Sequence, residues 1–138
     1  MKSIEEIIII DDDTDDQEVI SLILRQLNVT HPIRFFDNAE KAYDYLCDEK
    51  VIPFIIYSDI NMPGMNGFQL RDKIHDNENI RIKCVPYLFL TTGGESRHIW
   101  EAYSKSAQGY FLKPNSLEGW KALFSMTLSY WEHSKKPR

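Results

Sequence analysis

Short apolar runs that stop at polar or charged residues dominate the pattern of this chain. Four such runs lie at residues 7–10, 54–58, 87–90 and 110–112. The first is four consecutive isoleucines, and an uninterrupted β-branched run is typical of a strand that is buried on both faces. Stretches with helical periodicity separate the runs, which favours a parallel sheet with helices on both faces. The sequence therefore predicts an α/β fold.

The residues that follow these runs carry chemically useful side chains. Asp11 and Asp12 follow the first run, Asp59 follows the second, Thr91 ends the third and Lys113 follows the fourth. The carboxyl ends of parallel strands meet in one crevice, where ligands bind. Carboxylates suit a divalent cation or a nucleophile, whereas a hydroxyl and an ammonium suit phosphoryl oxygens. This set indicates phosphoryl transfer to an aspartate.

The remaining elements follow from apolar periodicity and turn residues. A short second strand is predicted at residues 32–36, and helices are predicted after residues 14, 38, 67, 96 and 116. Asn38 is expected to cap the second helix, and Asn115 or Ser116 is expected to cap the last. The first helix is expected to open with a capping box at Thr14, Asp15, Asp16 and Gln17. The polar segment 76–83 has no assignment.

Length and composition restrict the class of protein. A chain of 138 residues predicts a single domain, with a core at about 7–131, a tail at 133–138 that is expected to fray, and no output domain. The net charge of −5 argues against non-specific nucleic-acid binding. No stretch is apolar enough for a membrane span, and Cys47 and Cys84 lack metal-type spacing. We expect a cytoplasmic protein whose two thiols are reduced and packed.

The motif set resembles that of response-regulator receiver domains in two-component signalling. Four parts agree in order and position: the acidic pair after the first strand, Asp59-x-x-Met-Pro-Gly-Met-x-Gly, Thr91, and Lys113-Pro114. The resemblance covers about residues 7–131. It implies a flavodoxin-like, doubly wound five-stranded parallel sheet with strand order 2-1-3-4-5, an order that the spacing alone does not give.

The resemblance also implies a Mg²⁺ site. Asp59 would be the phosphoacceptor, and it would share the metal with Asp11, Asp12 and the backbone carbonyl of Asn61. Asp12 would be a direct ligand and Asp11 would act through water. The chemistry agrees, because Mg²⁺ prefers oxygen ligands and crowded carboxylates favour cation binding.

The remaining positions imply phosphoryl contacts and a switch. Thr91 and Lys113 would contact the phosphoryl group, Tyr110 would be the aromatic switch residue, and a cis peptide would join Lys113 to Pro114. The resemblance implies a stand-alone, Mg²⁺-dependent phosphoacceptor rather than a conventional enzyme. It would take its phosphoryl group from a histidine kinase or histidine phosphotransfer protein, and it would catalyse its own phosphorylation and hydrolysis. It would contact a downstream protein through the fourth predicted helix, the fifth strand and the fifth predicted helix.

Two other functions compete with this interpretation. A haloacid-dehalogenase-type phosphatase would use an Asp-x-Asp-x-Thr motif, but position 15 is Asp where Thr or Val is needed. A receiver-like module that only binds partners would not need the intact acid pair, acceptor, threonine and lysine. We expect Asp13, Asp15 and Asp16 to be solvated acids at a helix start. Trp100 and Tyr103 are either core or partner-facing residues.

Overall fold

The computed structural model describes residues 4–137, which form five strands and six helices. The strands are β1 (Glu6–Ile10), β2 (Ile33–Phe36), β3 (Pro53–Ser58), β4 (Tyr87–Thr91) and β5 (Gly109–Leu112). The helices are α1 (Thr14–Gln26), α2 (Ala39–Leu46), α3 (Gly67–Asp76), α4 (Glu78–Arg81), α5 (Ser96–Ser104) and α6 (Leu117–His133). All four strand pairings are parallel and the order is β2-β1-β3-β4-β5, which confirms the predicted fold.

The isoleucines of β1 divide between two hydrophobic cores. Ile8 and Ile10 pack with residues of α2, α3 and α5, whereas Ile7 and Ile9 pack with residues of α1 and α6. Successive side chains of a strand point to opposite faces, so an apolar run with helices on both sides is buried throughout. The two cores therefore cover both faces of the sheet.

The helices begin at polar capping residues, with one difference from the prediction. Asn38 and Ser116 cap α2 and α6 as expected, but Asp13 rather than Thr14 caps α1. The Asp13 side chain accepts hydrogen bonds from the backbone N–H groups of Asp15 and Asp16. The capping box predicted at Thr14 is therefore wrong, because the acid one residue earlier already satisfies the free amides of the first turn.

The segment without a predicted structure contains α4, a single helical turn. Asn77 caps it, and Ile80 provides the buried side chain that docks it on the core. Cys47 and Cys84 are free but exposed, so the prediction of packed thiols is wrong. Cys47 ends α2, and Cys84 has a positive φ of 53° in the turn before β4, so both lie outside the sheet.

The C-terminal segment makes a contact with the sheet. The ammonium of Lys136 donates a hydrogen bond of 2.6 Å to the carbonyl of Phe54 and lies 4.0 Å from the centre of its ring. The fraying of the tail stays a prediction. Within residues 4–137, no helix is long and apolar enough to cross a membrane.

Candidate phosphoacceptor site

Four of the predicted site residues meet at one end of the sheet: Asp11, Asp12, Asp59 and Lys113. Backbone hydrogen bonds continue just past the strands: Asp59 N–H donates to Ile10 O at 2.9 Å, and Lys113 N–H donates to Thr91 O at 2.8 Å. Each bond joins residues from neighbouring strands, so the functional side chains start from a fixed backbone. This is the crevice expected at the carboxyl edge of an open parallel sheet.

Lys113 is the centre of an ion-pair cluster. Its ammonium lies 2.9 Å from Asp11 Oδ2, 2.7 Å from Asp16 Oδ2 and 2.9 Å from Asp59 Oδ2, and its side chain is 7% exposed. Burial alone would lower the pKa of Lys113, but the hydrogen bonds to Asp16, Asp11 and Asp59 raise it above its ordinary value. The lysine is therefore a fixed positive charge beside the candidate acceptor.

The carboxylate of Asp59 is buried and held at both oxygens. Oδ1 accepts a hydrogen bond of 2.7 Å from Ile60 N–H, and Oδ2 accepts one from Lys113. Gly67 allows the following loop to return beside it, since a Cβ on Gly67 would lie 2.1 Å from Asp59 O. The residue is only 8% exposed, which is unusual for a carboxylate that merely caps a turn.

Three carboxylates form a group that fits a divalent cation. Oxygen atoms of Asp11, Asp12 and Asp59 all lie within 4.8 Å of one another, with Asp12 exposed and the other two buried. Burial raises the pKa of Asp11 to about 6, against the opposing effects of the Asp13 backbone N–H and Lys113. Mg²⁺ prefers oxygen ligands, and Lys113 offsets only one of the negative charges that these three carboxylates can carry. The contribution of Asn61, which is exposed, stays a prediction.

Thr91 carries a buried hydroxyl without a partner. Its Oγ1 makes no hydrogen bond in residues 4–137, although the residue is only 1% exposed. Such a group costs free energy unless a ligand or a conformational change satisfies it. The hydroxyl ends β4, the strand beside the one that leads into Asp59, so a phosphoryl oxygen is a chemically suitable partner.

Tyr110 connects the site to the surface through the loop after β4. Its ring is half-buried, with its centre 6.4 Å from that of Phe89, and its hydroxyl donates a hydrogen bond to Gly93 O. Burial, followed by the charges of Glu95 and Asp59, raises the pKa of the Tyr110 hydroxyl, which therefore acts as a neutral donor. The ring of Tyr110 and the loop that follows Thr91 are thus held together.

The predicted cis peptide before Pro114 is wrong. All peptide bonds among residues 4–137 are trans, including that between Lys113 and Pro114. The two isomers of a bond before proline differ by only about 0.5–1 kcal/mol. The local sequence therefore does not decide between them.

Asp16 is a site residue that the sequence prediction missed. It was expected to be solvated with Asp13 and Asp15, yet its side chain is 23% exposed and pairs with Lys113. The other two acids match the prediction, since Asp13 caps α1 and Asp15 is exposed. The available signal was helical phase: in a helix that starts at residue 14, Asp16 and Ile20 lie on one side, and Ile20 is buried.

The face formed by α5, β5 and α6 exposes several large apolar side chains. Trp100 is 74% exposed and Tyr103 is 57% exposed, so neither is a core residue. Leu112 on β5 is also exposed. This face corresponds to the predicted partner surface. The fourth predicted helix is α5 in the structure, because the short helix α4 precedes it in the chain.

Comparison with known proteins identifies the domain type. Residues 7–123 match the model of the response regulator receiver domain family. The two-component response regulator ORR5 of Oryza sativa is 32% identical over 110 residues, which are 78% of this chain and 77% of that protein. The DNA-binding transcriptional regulator NtrC of Escherichia coli is 26% identical over 130 residues, but this chain spans only 26% of its length.

Solved structures share the fold. The phosphorylated cyanobacterial phytochrome response regulator RcpA superposes with a TM-score of 0.85 at 19% identity, covering 97% of this chain and 99% of that chain. The Mn²⁺-bound response regulator Rcp1 superposes with a TM-score of 0.84 at 20% identity, with the same coverage. The comparisons give no support to the haloacid-dehalogenase alternative.

Proposed function

The chain belongs to the response regulator receiver domain family, and we propose that Asp59 is its phosphoacceptor. Members of this family are phosphorylated on an aspartate by histidine kinases or phosphotransfer proteins, and they are signalling domains rather than conventional enzymes. One observation carries the assignment to Asp59: a buried carboxylate is held between Lys113 and a backbone N–H, beside two further carboxylates that can share a cation with it.

The proposed transfer follows from these contacts. An oxygen of the Asp59 carboxylate forms a bond to the phosphorus of a phosphohistidine, the P–N bond breaks, and the imidazole leaves with the electron pair and takes a proton. Lys113 offsets charge on the phosphoryl oxygens, and the unpartnered Thr91 hydroxyl donates to one of them. Hydrolysis of the acyl phosphate, with water as nucleophile, returns the carboxylate and releases inorganic phosphate.

The residues present fit Mg²⁺. Asp11, Asp12, Asp59 and the backbone carbonyl of Asn61 would hold the ion, and the three carboxylates already lie close enough together. A bound Mg²⁺ would offset negative charge on the transferring group. The Mn²⁺-bound form of the structurally similar Rcp1 supports a divalent cation in a site of this fold.

The output is proposed to be contact with a downstream protein. The face of α5, β5 and α6 presents Trp100, Tyr103 and Leu112 to solvent, and exposed aromatic residues are suitable anchors for a partner. Tyr110 would link this face to the site through its bond to Gly93. A cytoplasmic location is part of the proposal, and the two free cysteines agree with a reducing compartment.

Intact mass spectrometry after incubation with acetyl phosphate and Mg²⁺ tests the acceptor. Wild type should gain one phosphoryl group, whereas Asp59→Asn should gain none. Asp37→Asn is the control. It removes the same charge from an exposed aspartate that pairs with Lys41 rather than Lys113, so it should behave as wild type. A stoichiometric adduct on Asp59→Asn would show that another residue is the acceptor. If wild type forms no adduct, the phosphoacceptor function is excluded and a module that only binds partners remains.

A further inference from the structure

One carboxylate that contacts Lys113 does not belong to the candidate metal group. Among residues 4–137, the ammonium of Lys113 pairs with Asp11, Asp16 and Asp59, and only Asp16 lies outside the Asp11, Asp12 and Asp59 set. Its contact of 2.7 Å is also the shortest of the three. An ammonium has three N–H donors, so these three oxygens can satisfy it completely.

The two other partners of Lys113 both change role during phosphoryl transfer. Asp59 becomes an acyl phosphate, so its carboxylate charge is lost, and Asp11 would have a bound divalent cation as a competing partner. Asp16 takes part in neither change. We propose that Asp16 is a positioning residue that holds the Lys113 ammonium in place while Asp59 is phosphorylated, an inference that rests on the proposed function.

The local structure fixes Asp16 well enough for this role. Its backbone N–H donates a hydrogen bond of 3.1 Å to Oδ1 of Asp13, the residue that caps the helix. The next residue, Gln17, donates from Nε2 to the backbone carbonyl of Asp11 at 2.6 Å. The first turn of α1 is therefore tied to the backbone of the site itself, and a carboxylate on this turn is a rigid support for the lysine.

The consequence is kinetic. With acetyl phosphate as donor, an Asp59 oxygen forms the new bond to phosphorus, the bond to the acetate oxygen breaks, and acetate leaves with the electron pair. Lys113 must meet a phosphoryl oxygen in that step, and an ammonium that has lost one support is less well placed. We expect Asp16→Ala to lower the phosphorylation rate about tenfold, the effect of losing one hydrogen bond to a charged group.

Asp15→Ala is a matched control. Asp15 is an acid in the same helical turn, with the same favourable position for the helix dipole, but it is exposed and does not contact Lys113. Asp16→Asn keeps an oxygen acceptor and the side-chain volume, so it should retain most of the rate that Asp16→Ala loses. It also keeps the test readable if Asp16→Ala fails to fold.

Two measurements are needed on each variant. The first is the time course of adduct formation at several acetyl phosphate concentrations with Mg²⁺, followed by intact mass, which separates donor binding from the transfer rate. The second is the ¹⁵N NMR signal of the Lys113 ammonium, a readout that a purely structural effect elsewhere would not move. Both Asp16 variants should shift or broaden this signal, and Asp15→Ala should not.

The outcomes separate this inference from the acceptor assignment. An adduct on wild type, together with an unchanged rate and an unchanged Lys113 signal in Asp16→Ala, would overturn the positioning role alone. An equal loss of rate in Asp15→Ala and Asp16→Ala would also overturn it, because the effect would then be one of general charge. No adduct on wild type would overturn the proposed function and this inference with it.

Discussion

Replacing Asp11 by asparagine should stabilise the metal-free protein at neutral pH, although it removes an ion pair. The folded pKa of Asp11 is about 6, above the ordinary 3.8, because burial opposes its charged form more than Lys113 favours it. Between these two values the folded protein binds a proton more readily than the unfolded chain does. The stability due to this group is therefore fully present below about pH 4 and is lost as the pH rises through 6.

The size of the effect follows from that difference. Raising the pKa from 3.8 to about 6 makes ionisation of Asp11 in the folded protein costlier by about 3 kcal/mol at pH 7. Asparagine avoids this cost, which already includes the opposing attraction of Lys113, and its amide oxygen can still accept a hydrogen bond from Lys113. The variant should gain about 3 kcal/mol at pH 7 and roughly half of that at pH 5, where the wild-type carboxyl is mostly protonated.

Urea unfolding in the presence of a chelator measures this difference at both pH values. The control is Asp15→Asn, an exposed acid nearby, which should change the free energy of unfolding by less than about 0.5 kcal/mol. A variant that is less stable than wild type at pH 7 would refute the reasoning, since the ion pair would then outweigh the burial of Asp11. A gain of equal size at pH 5 and pH 7 would refute the role of ionisation.

Three further predictions concern the other parts of the site. Asp12→Ala should weaken Mg²⁺ binding at least tenfold in a titration, because one carboxylate ligand is lost; unchanged affinity would exclude Asp12 as a ligand. Gly67→Ala should cost about 1–3 kcal/mol in urea unfolding and reduce adduct formation, since its Cβ displaces the backbone of Asp59, whereas Gly94→Ala has room and should do neither. Thr91→Val should still accept phosphate, but it should lose the amide chemical-shift changes in β5 that a beryllofluoride mimic of the phosphoryl group causes in wild type. Equal shift changes in wild type and Thr91→Val would show that the hydroxyl does not couple the site to the surface.

The sequence predicted the sheet well because its signals are local. Four β-branched or aromatic runs, each stopped by a polar residue, are sufficient to place four of the five strands, and the last run lies within β5. The strand order came from the family resemblance, since local sequence does not specify which strands are neighbours. Asp11, Asp12, Asp59 and Lys113 meet because they follow strands, and Thr91 ends the strand beside β3; this placement is readable from sequence.

The misses concern choices that only tertiary structure makes. Adjacent acids look alike in sequence. Helical phase places Asp16 on the side of the buried Ile20, but the lysine with which Asp16 pairs is 97 residues away. The cap of α1 was misplaced by one residue for the same reason, because any of several acids there can cap a helix. The isomer of the bond before Pro114 depends on a free-energy difference too small for local sequence to decide.

The unpartnered hydroxyl of Thr91 supplies a free-energy difference between the two states of the site. A buried hydroxyl without a partner costs about 1–3 kcal/mol, and a phosphoryl oxygen on Asp59 would remove that cost. A ligand can shift an equilibrium only by its differential affinity for the two states, and about 1–3 kcal/mol is the usual size of such a coupling. Movement of Thr91 toward the phosphoryl group would pull on the loop that holds Gly93, whose carbonyl accepts the Tyr110 hydroxyl. The same contact that keeps Tyr110 half-buried at rest would therefore transmit the change to β5 and the exposed residues beside it.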